Sequence, residues 1–354
     1  MRVTLADIAA RAGVSQATVS RVLNDKPGVA PTTRAAVLEA VDSRGYEGQA
    51  RLSGRSAGLV GLVLPELDNP VFPAFASAMG ASLTRHGYST VLCSQTFGGV
   101  HEDDFVRMLL ERDVAGIIFV SGLHANTDAG TGRYAALVER GLPIVLVNGY
   151  APDVDAPFVS TDDAAAVDLS VSHLVQLGHR RIGLAIGPRR YVPVVRKVAA
   201  FADALARHLP GDEQVSAPEE LVECTHFTVE GGMAAASALL DRGCTALVCG
   251  SDVMALGAAR TVRERGLRVP DDVSIIGSDD SLLIAYTDPP LTTVRQPVAA
   301  ISAAAVDALL DAISGETAPR TEYVFRPELV VRGSTAPAPR GRRTHVSLAA
   351  DAGS

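Results

Sequence analysis

Two groups of side chains have types and spacings suited to recognition chemistry. In the first, Gln16, Ala17, Ser20 and Arg21 fall on one side of a helical wheel, and Val19, Val22 and Leu23 on the other. An outward face of small and hydrogen-bonding residues beginning at a helix N-terminus suits the DNA major groove. Gln pairs bidentately with adenine, Ala touches a thymine methyl, and the Arg21 fork matches O6 and N7 of guanine. Thr18, Ser20, Arg21 and Asn24 can also hydrogen-bond phosphates or base edges. The second group is scattered along the chain, mostly at the ends of short apolar runs. It comprises Asp68, Asn69, Phe72, Ser121, Asn148, Asp162, Asp163, Phe227, Ser251, Asp252, Asp279 and Asp280. Carboxylates accept bonds from hydroxyls and rings stack on apolar sugar faces, so a site built from these residues suits a polyhydroxylated ligand. Asp163 and Asp252 each precede a helix, where they could simply be N-caps.

The first group needs two short helices and a tight turn to present it. Thr4 can cap the first helix, with Asp7 reaching back as in a capping box, and Leu5, Ile8 and Ala9 share a face. Gly13 in Ala12-Gly13-Val14 tolerates the positive φ such a turn requires, and Ser15 caps the second helix. A third helix is expected from Pro31 to Ser43 with Val37, Leu38 and Val41 inward; Gly45 ends it. The competing reading is a plain helical hairpin inside a bundle.

The second group needs a different scaffold. From Leu59 short apolar runs recur at Val60–Leu64, Thr90–Cys93, Gly116–Val120, Ile144–Val147, Ile182–Ile186, Ala246–Cys249 and Val273–Ile276. Helix-length segments separate them, many ending near Gly, which is the pattern of parallel α/β sheets with crossover helices. In open α/β sheets ligands sit beyond the carboxyl ends of strands, where the acids and amides fall.

Composition agrees with this division. A chain of 354 residues with 47% hydrophobic content can bury a sizeable core and holds two or three units. The net charge is −8, yet residues 1–55 carry eight Lys/Arg against five acids, a net of +3 that leaves −11 for the remainder. A basic head on an acidic body fits a DNA-binding domain joined to something that does not touch DNA. The four cysteines have no CxxC or zinc spacing, and buried free thiols are expected at Cys93 and Cys249. No run reaches transmembrane length and the chain starts with a helix rather than a signal peptide, so no membrane role and a cytoplasmic location are expected. No GxSxG, P-loop, GxGxxG or HExxH motif occurs. His101-Glu102-Asp103-Asp104 reads as a helix start, where acids are favoured, and His173 and His179 as structural. No cofactor, metal or catalytic residue is expected.

The segment VTLADIAARAGVSQATVSRVLN, followed by Val29, Pro31, Thr33-Arg34, Val37-Leu38 and Gly45-Tyr46, resembles the start of the lactose/galactose-repressor (LacI/GalR) family of transcription regulators. Similar phrases continue at Val60–Phe72, His173–Pro188, Ser251–Arg260 and Val269–Pro297, so the resemblance covers about residues 3 to 333. It implies an all-α helix-turn-helix domain (1–46), a hinge (47–58) and a periplasmic-binding-protein-like core (59–333) of two doubly wound parallel-sheet subdomains. The first subdomain would span about 59–160 and 292–322, the second 161–290 and 323–333. The chain would cross between them near Ser160, Leu291 and Tyr323. Residues 334–354 are expected to form a disordered tail without a coiled-coil module.

The resemblance also implies roles. Gln16 and Ala17 sit where the family reads bases, Thr4 and Thr33 join the DNA-facing set, and Leu52 is the candidate minor-groove wedge. Gly48 replaces the family's usual proline, the hinge is short, and Ala30 stands where a capping Ser is usual. Asp252 and Asp279 match effector positions, and Phe227 falls where some members stack the ligand. Lys197 stands where an effector-gripping Arg is usual, with Arg196 beside it, and Ser251 replaces an Asn. Lys lacks the planar fork, so either the ligand differs or Arg196 substitutes.

The function expected is a ligand-responsive regulator, a repressor binding a pseudo-palindromic operator as a homodimer under control of a sugar-like effector. A solute-binding or sensor protein without DNA function is the alternative; a sugar-processing enzyme on the same scaffold and a DNA-binding activator are further ones. Arg21→Ala should cost about 1–3 kcal/mol at one base-pair position in a binding assay across operator variants. A loss equal for all sequences would make Arg21 a phosphate contact instead.

Overall fold

The computed structural model describes residues 5–23, 28–42, 57–95, 100–211, 217–316 and 321–339. Thr4, Asn24, Leu52 and nearly all of the expected hinge lie outside these residues. Two compact units are present, residues 1–57 and 58–354.

The first unit holds α1 (Leu5–Ala12), α2 (Gln16–Leu23) and α3 (Pro31–Asp42). Ile8, Ala9, Val19, Val22, Val37 and Ala40 form its core. Gly13, with φ of 65°, makes the turn between α1 and α2. Ser15 Oγ accepts from Thr18 N at 3.1 Å, which caps α2. Leu38 departs from expectation. It is 47% exposed, because Val37 and Ala40, three apart, define the inward face and Leu38 projects about 100° away from Val37.

The second unit contains two six-stranded sheets of the same design. The first has the order β11-β5-β4-β3-β1-β2, from β1 (Gly58–Leu64), β2 (Tyr88–Ser94), β3 (Gly116–Val120), β4 (Ile144–Val147), β5 (Phe158–Thr161) and β11 (Glu322–Phe325). The second has the order β12-β10-β9-β8-β6-β7, from β6 (Ile182–Ile186), β7 (Val222–Cys224), β8 (Ala246–Cys249), β9 (Ser274–Ser278), β10 (Thr292–Arg295) and β12 (Glu328–Val330). Every pairing is parallel except β10 with β12. Both sheets are covered on two faces, which is why their strands read as unbroken apolar runs. In the first lobe, Val60, Leu62, Ile118, Val120, Val145 and Val147 face α4 (Val71–Arg85) and α11 (Val298–Ile313). Val63, Ile117, Phe119, Ile144 and Leu146 face the opposite way, toward α5 (Glu102–Glu111) and α6 (Gly132–Glu139). That is the period-two alternation of a strand. The second lobe packs α7 (Asp163–Gln176), α8 (Val192–His208), α9 (Val229–Asp241) and α10 (Asp252–Glu264) around one continuous core.

The crossings differ from those expected in two places. The first falls between Thr161 and Asp163, beside the expected Ser160. The second lies between Arg295 and Val298, not at Leu291, because Thr292–Val294 pair with β9 of the second sheet before the chain leaves it. The third lies between Phe325 and Glu328, not at Tyr323, which is inside β11 and paired with Val159.

The expected tail is also partly ordered. Ser334 is buried; its Oγ donates to Ile275 O at 2.6 Å and accepts from Thr292 N at 2.8 Å. His179 Nε2 lies 3.1 Å from Ala336 O and 3.0 Å from Ser274 Oγ, and His173 Nε2 lies 3.0 Å from Thr335 Oγ1. Residues 334–338 thus pack across the starts of β9 and β10 and the end of α7, giving both histidines their structural role. Ser334→Ala would leave the Thr292 amide buried without its acceptor, an expected loss of about 1–3 kcal/mol in denaturant unfolding. An unchanged midpoint would mean the segment contributes nothing.

Candidate functional site

In the first unit the recognition face is open. Gln16, Ala17 and Arg21 are exposed on α2, with Thr18, Ser20 and Thr33 half-buried beside them. Ser15 Oγ and Thr18 Oγ1 are 2.9 Å apart, which links the cap to the face. Ser15, Thr18, Arg21, Val29 and Thr33 line one shallow depression where the α2 N-terminus meets the start of α3. The surface is polar, carries one guanidinium and begins at a helix N-terminus, features that accept a phosphate backbone at one edge and base edges along the helix.

In the second unit, acids and amides gather at the carboxyl ends of strands from both lobes. Asp279 ends β9 and is buried. Its Oδ1 accepts from Gln296 Nε2 at 2.6 Å, and the Asn69 side chain from the first lobe hydrogen-bonds to it as well. Gln296 Oε1 accepts in turn from Thr161 Oγ1 at 2.9 Å. The chain Thr161–Gln296–Asp279 therefore joins the first two crossings to the site. Asp252, in the first turn of α10, accepts from Thr293 Oγ1 at 2.6 Å and from both the N–H and Oγ–H of Ser281 at 2.7 Å. Burial, and then the charge of Asp252, push the Asp279 carboxyl up to about 8. Burial also raises Asp252 and, despite Lys197, Asp163.

The helix caps fall one residue earlier than Asp163 and Asp252. Asp162 Oδ1 accepts from Ala165 N at 2.9 Å, and Ser251 Oγ from Met254 N at 3.2 Å. Asp162, expected in the effector set, thus spends one carboxylate oxygen on a cap, while Asp163 and Asp252 point into buried polar contacts. Lys197 Nζ pairs with Asp163 Oδ1 at 2.9 Å and lies near enough to favour the charged form of Asp279. The fork of the adjacent Arg196 is bidentate to Glu322 of β11, at 2.7 and 2.9 Å. Phe227 is seated on two strand ends. A Cβ at Gly187 would lie 2.0 Å from its ring and one at Gly250 3.1 Å, so the glycines make the slot. Ser121 and Asn148 end β3 and β4 with φ of 48° and 61°, and Phe72 is half-buried in the first turn of α4.

Several buried polar contacts were not legible in the sequence. Gln296 was visible only as part of the phrase DPPLTTVRQP. Glu102, placed at a helix start, is buried; it accepts from the Tyr134 hydroxyl and from Leu123 N at 2.9 Å. The Tyr134 oxygen accepts from His124 N at 2.8 Å, and His124 Nε2 lies 3.1 Å from Val147 O. Burial holds His124 neutral, pushed down to about 4. This network sits beneath the segment that follows Ser121. From there Thr127 N and Oγ1 donate to Arg190 O at 2.6 and 2.9 Å, and Asn126 bridges Tyr191, fastening the first lobe to the second. Among the described residues no group of three His, Cys, Asp or Glu could hold a metal, and no helix is long and apolar enough to cross a membrane.

The arrangement is rich in acceptors, flanked by the Phe227 and Phe72 rings and the Lys197 ammonium group, and made from both lobes. It can take a neutral ligand with several hydroxyl donors. Because its pKa rises on folding, Asp279 contributes stability that is full below pH 3.8 and is lost as the pH climbs through about 8. Asp279→Asn should therefore flatten the fall in melting temperature between those limits. A variant with the same pH slope as the parent would remove Asp279 as its source.

Residues 4–49 match the model of bacterial regulatory proteins of the lacI family, and residues 171–335 that of a periplasmic-binding-protein-like domain. The chain is 60% identical over 344 residues to the HTH-type transcriptional regulator MalR of Streptomyces coelicolor, covering 97% of this chain and 100% of that one. A solved complex of the transcriptional regulator CelR with cellobiose is 32% identical, with a TM-score of 0.69, over 94% of this chain and 100% of that one. The Lac repressor dimer bound to operator and the anti-inducer ONPF is 28% identical, with a TM-score of 0.67, over 95% and 100%.

Proposed function

The chain belongs to the lacI family of bacterial regulatory proteins, and from that premise we propose that it is a repressor whose operator affinity is set by a sugar-like effector held between the two lobes. It is a ligand-responsive, DNA-binding transcriptional regulator, not an enzyme and not a solute-binding protein without a DNA role. The observation that carries the effector reading is Asp279, a buried carboxylate reached by Asn69 from one lobe and by Gln296 at a crossing. A ligand hydroxyl entering there competes with those donors. That competition changes what ties the lobes together. CelR was solved with cellobiose, a ligand of the polyhydroxylated class this acceptor set suits.

The operator would be pseudo-palindromic and read in the cytoplasm by two copies, since one α2 face addresses only a few base pairs. Leu282, Leu283 and Tyr286, 80%, 73% and 82% exposed, form an apolar face that a second copy would cover. Gln16, Ala17 and Arg21 would contact base edges, Ser15, Thr18, Ser20, Thr33 and the outlying Thr4 and Asn24 the backbone or neighbouring edges, and Leu52 the minor groove.

A thermal-shift screen of mono- and disaccharides including cellobiose, followed by titration of the hit with and without operator DNA, tests this reading. The two affinities should differ by about 1–3 kcal/mol per site. Identical affinities would remove the allosteric link, and no stabilisation by any sugar would remove the ligand class.

A further inference from the structure

Asp279 and Asp280 are consecutive non-glycine residues with φ of 112° and 60°. Both lie in a region that L-residues rarely adopt, and such backbone persists only where its surroundings over-determine it. The Asp280 carboxylate supplies that restraint. Its Oδ1 accepts from Arg332 Nη2 at 2.5 Å and its Oδ2 from Arg295 Nε at 2.6 Å. Arg332 is itself fixed by donating Nη1 to Leu291 O at 2.8 Å, and Arg295 by its pairing with Glu328. The Asp280 and Arg332 side chains are only 10% and 18% exposed, so water and salt screen this pair weakly.

The position of the two arginines gives this cluster its meaning. Arg295 is the last residue of β10 before the second crossing, and Glu328 is the first residue of β12 after the third. On one side of Asp280 stands Asp279. On the other, Ser281 donates both its N–H and its hydroxyl to Asp252. We propose that Asp280, gripped by Arg295 and Arg332, is a positioning residue for effector binding. It holds the strained turn from which Asp279 and Ser281 reach the cleft, and it anchors that turn to the segments on which the lobes pivot. The proposal rests on the reading of Asp279 as the effector-binding carboxylate. Asp280 itself does not touch the ligand.

Arg332→Met keeps the length of the side chain and deletes its charge; Asp280→Asn keeps the shape and weakens both pairs. In the full-length protein, amide exchange at 279–281 should quicken about tenfold or more in each variant, with amides of Ile275–Gly277 in β9 changing by less than about twofold. Calorimetric titration with cellobiose should show weakening of about tenfold or more. Unchanged exchange at 279–281, or a rise matched throughout β9, would overturn the proposal, as would equal cellobiose affinity in parent and variants. A parent protein that binds neither cellobiose nor any other sugar of the screen would count against the function proposed above, while the exchange pattern would still decide the role of Asp280.

Discussion

A carboxylate sealed at the end of β9 sets the conditions for the rest of the body. Removing a carboxylate from water is costly unless donors replace the lost hydration. For Asp279 those donors are Asn69 from the opposite lobe and Gln296 at a crossing. Neither lobe could satisfy it alone, so its burial and the closeness of the lobes are one condition. The neighbouring Asp252 adds a second carboxyl group, held in place by Ser281 and Thr293. The result is a surface with more acceptors than donors. It selects ligands that bring hydroxyls and disfavours those that bring a negative charge.

Closure has a second fastening in the first lobe. The Glu102–Tyr134–His124 network reaches the ends of β3 and β4 through His124 and Val147 O, and it lies directly under the segment carrying Asn126 and Thr127. Buried polar networks of this kind specify one arrangement because partial satisfaction is penalised in a low dielectric. The bonds from Thr127 to Arg190 O then have a rigid base on one side and the start of α8 on the other. Bonds to a main-chain carbonyl do not depend on which side chain stands at 190. The fastening therefore tolerates substitution there while remaining sensitive to movement of either lobe.

The head obeys different rules. Its core consists of a few small and branched side chains around Ile8, Val19 and Val37. A core this small leaves little stability in reserve. Local devices carry a larger share: the Ser15 cap, the Gly13 turn and the placement of small residues on α2. These same devices leave the outer face of α2 bare, as a groove-reading surface requires.

Those local devices were written in adjacent residues, and so the helix-turn-helix, its cap and its turn were legible in the sequence. So were the alternating strands and helices of the body, since a strand buried on both faces advertises itself as an apolar run. The cluster of acids at strand ends followed from the same pattern. What escaped depended on partners far away in the chain. Arg196 and Glu322 are separated by 126 positions, and no local signal says that this arginine pairs with Glu322 while its neighbour Lys197 pairs with Asp163. Thr292–Arg295 resembles any short β-branched run, and only its pairing with β9 assigns it to the second lobe and moves the crossing to Arg295. Asp163 and Asp252 each stood beside a better cap, and whether an acid caps a helix or faces a cleft is decided by the backbone angle at the residue before it. Periodicity is a property of neighbours and survives in one dimension. Partnership belongs to strand order and lobe closure, which exist only once the chain has folded.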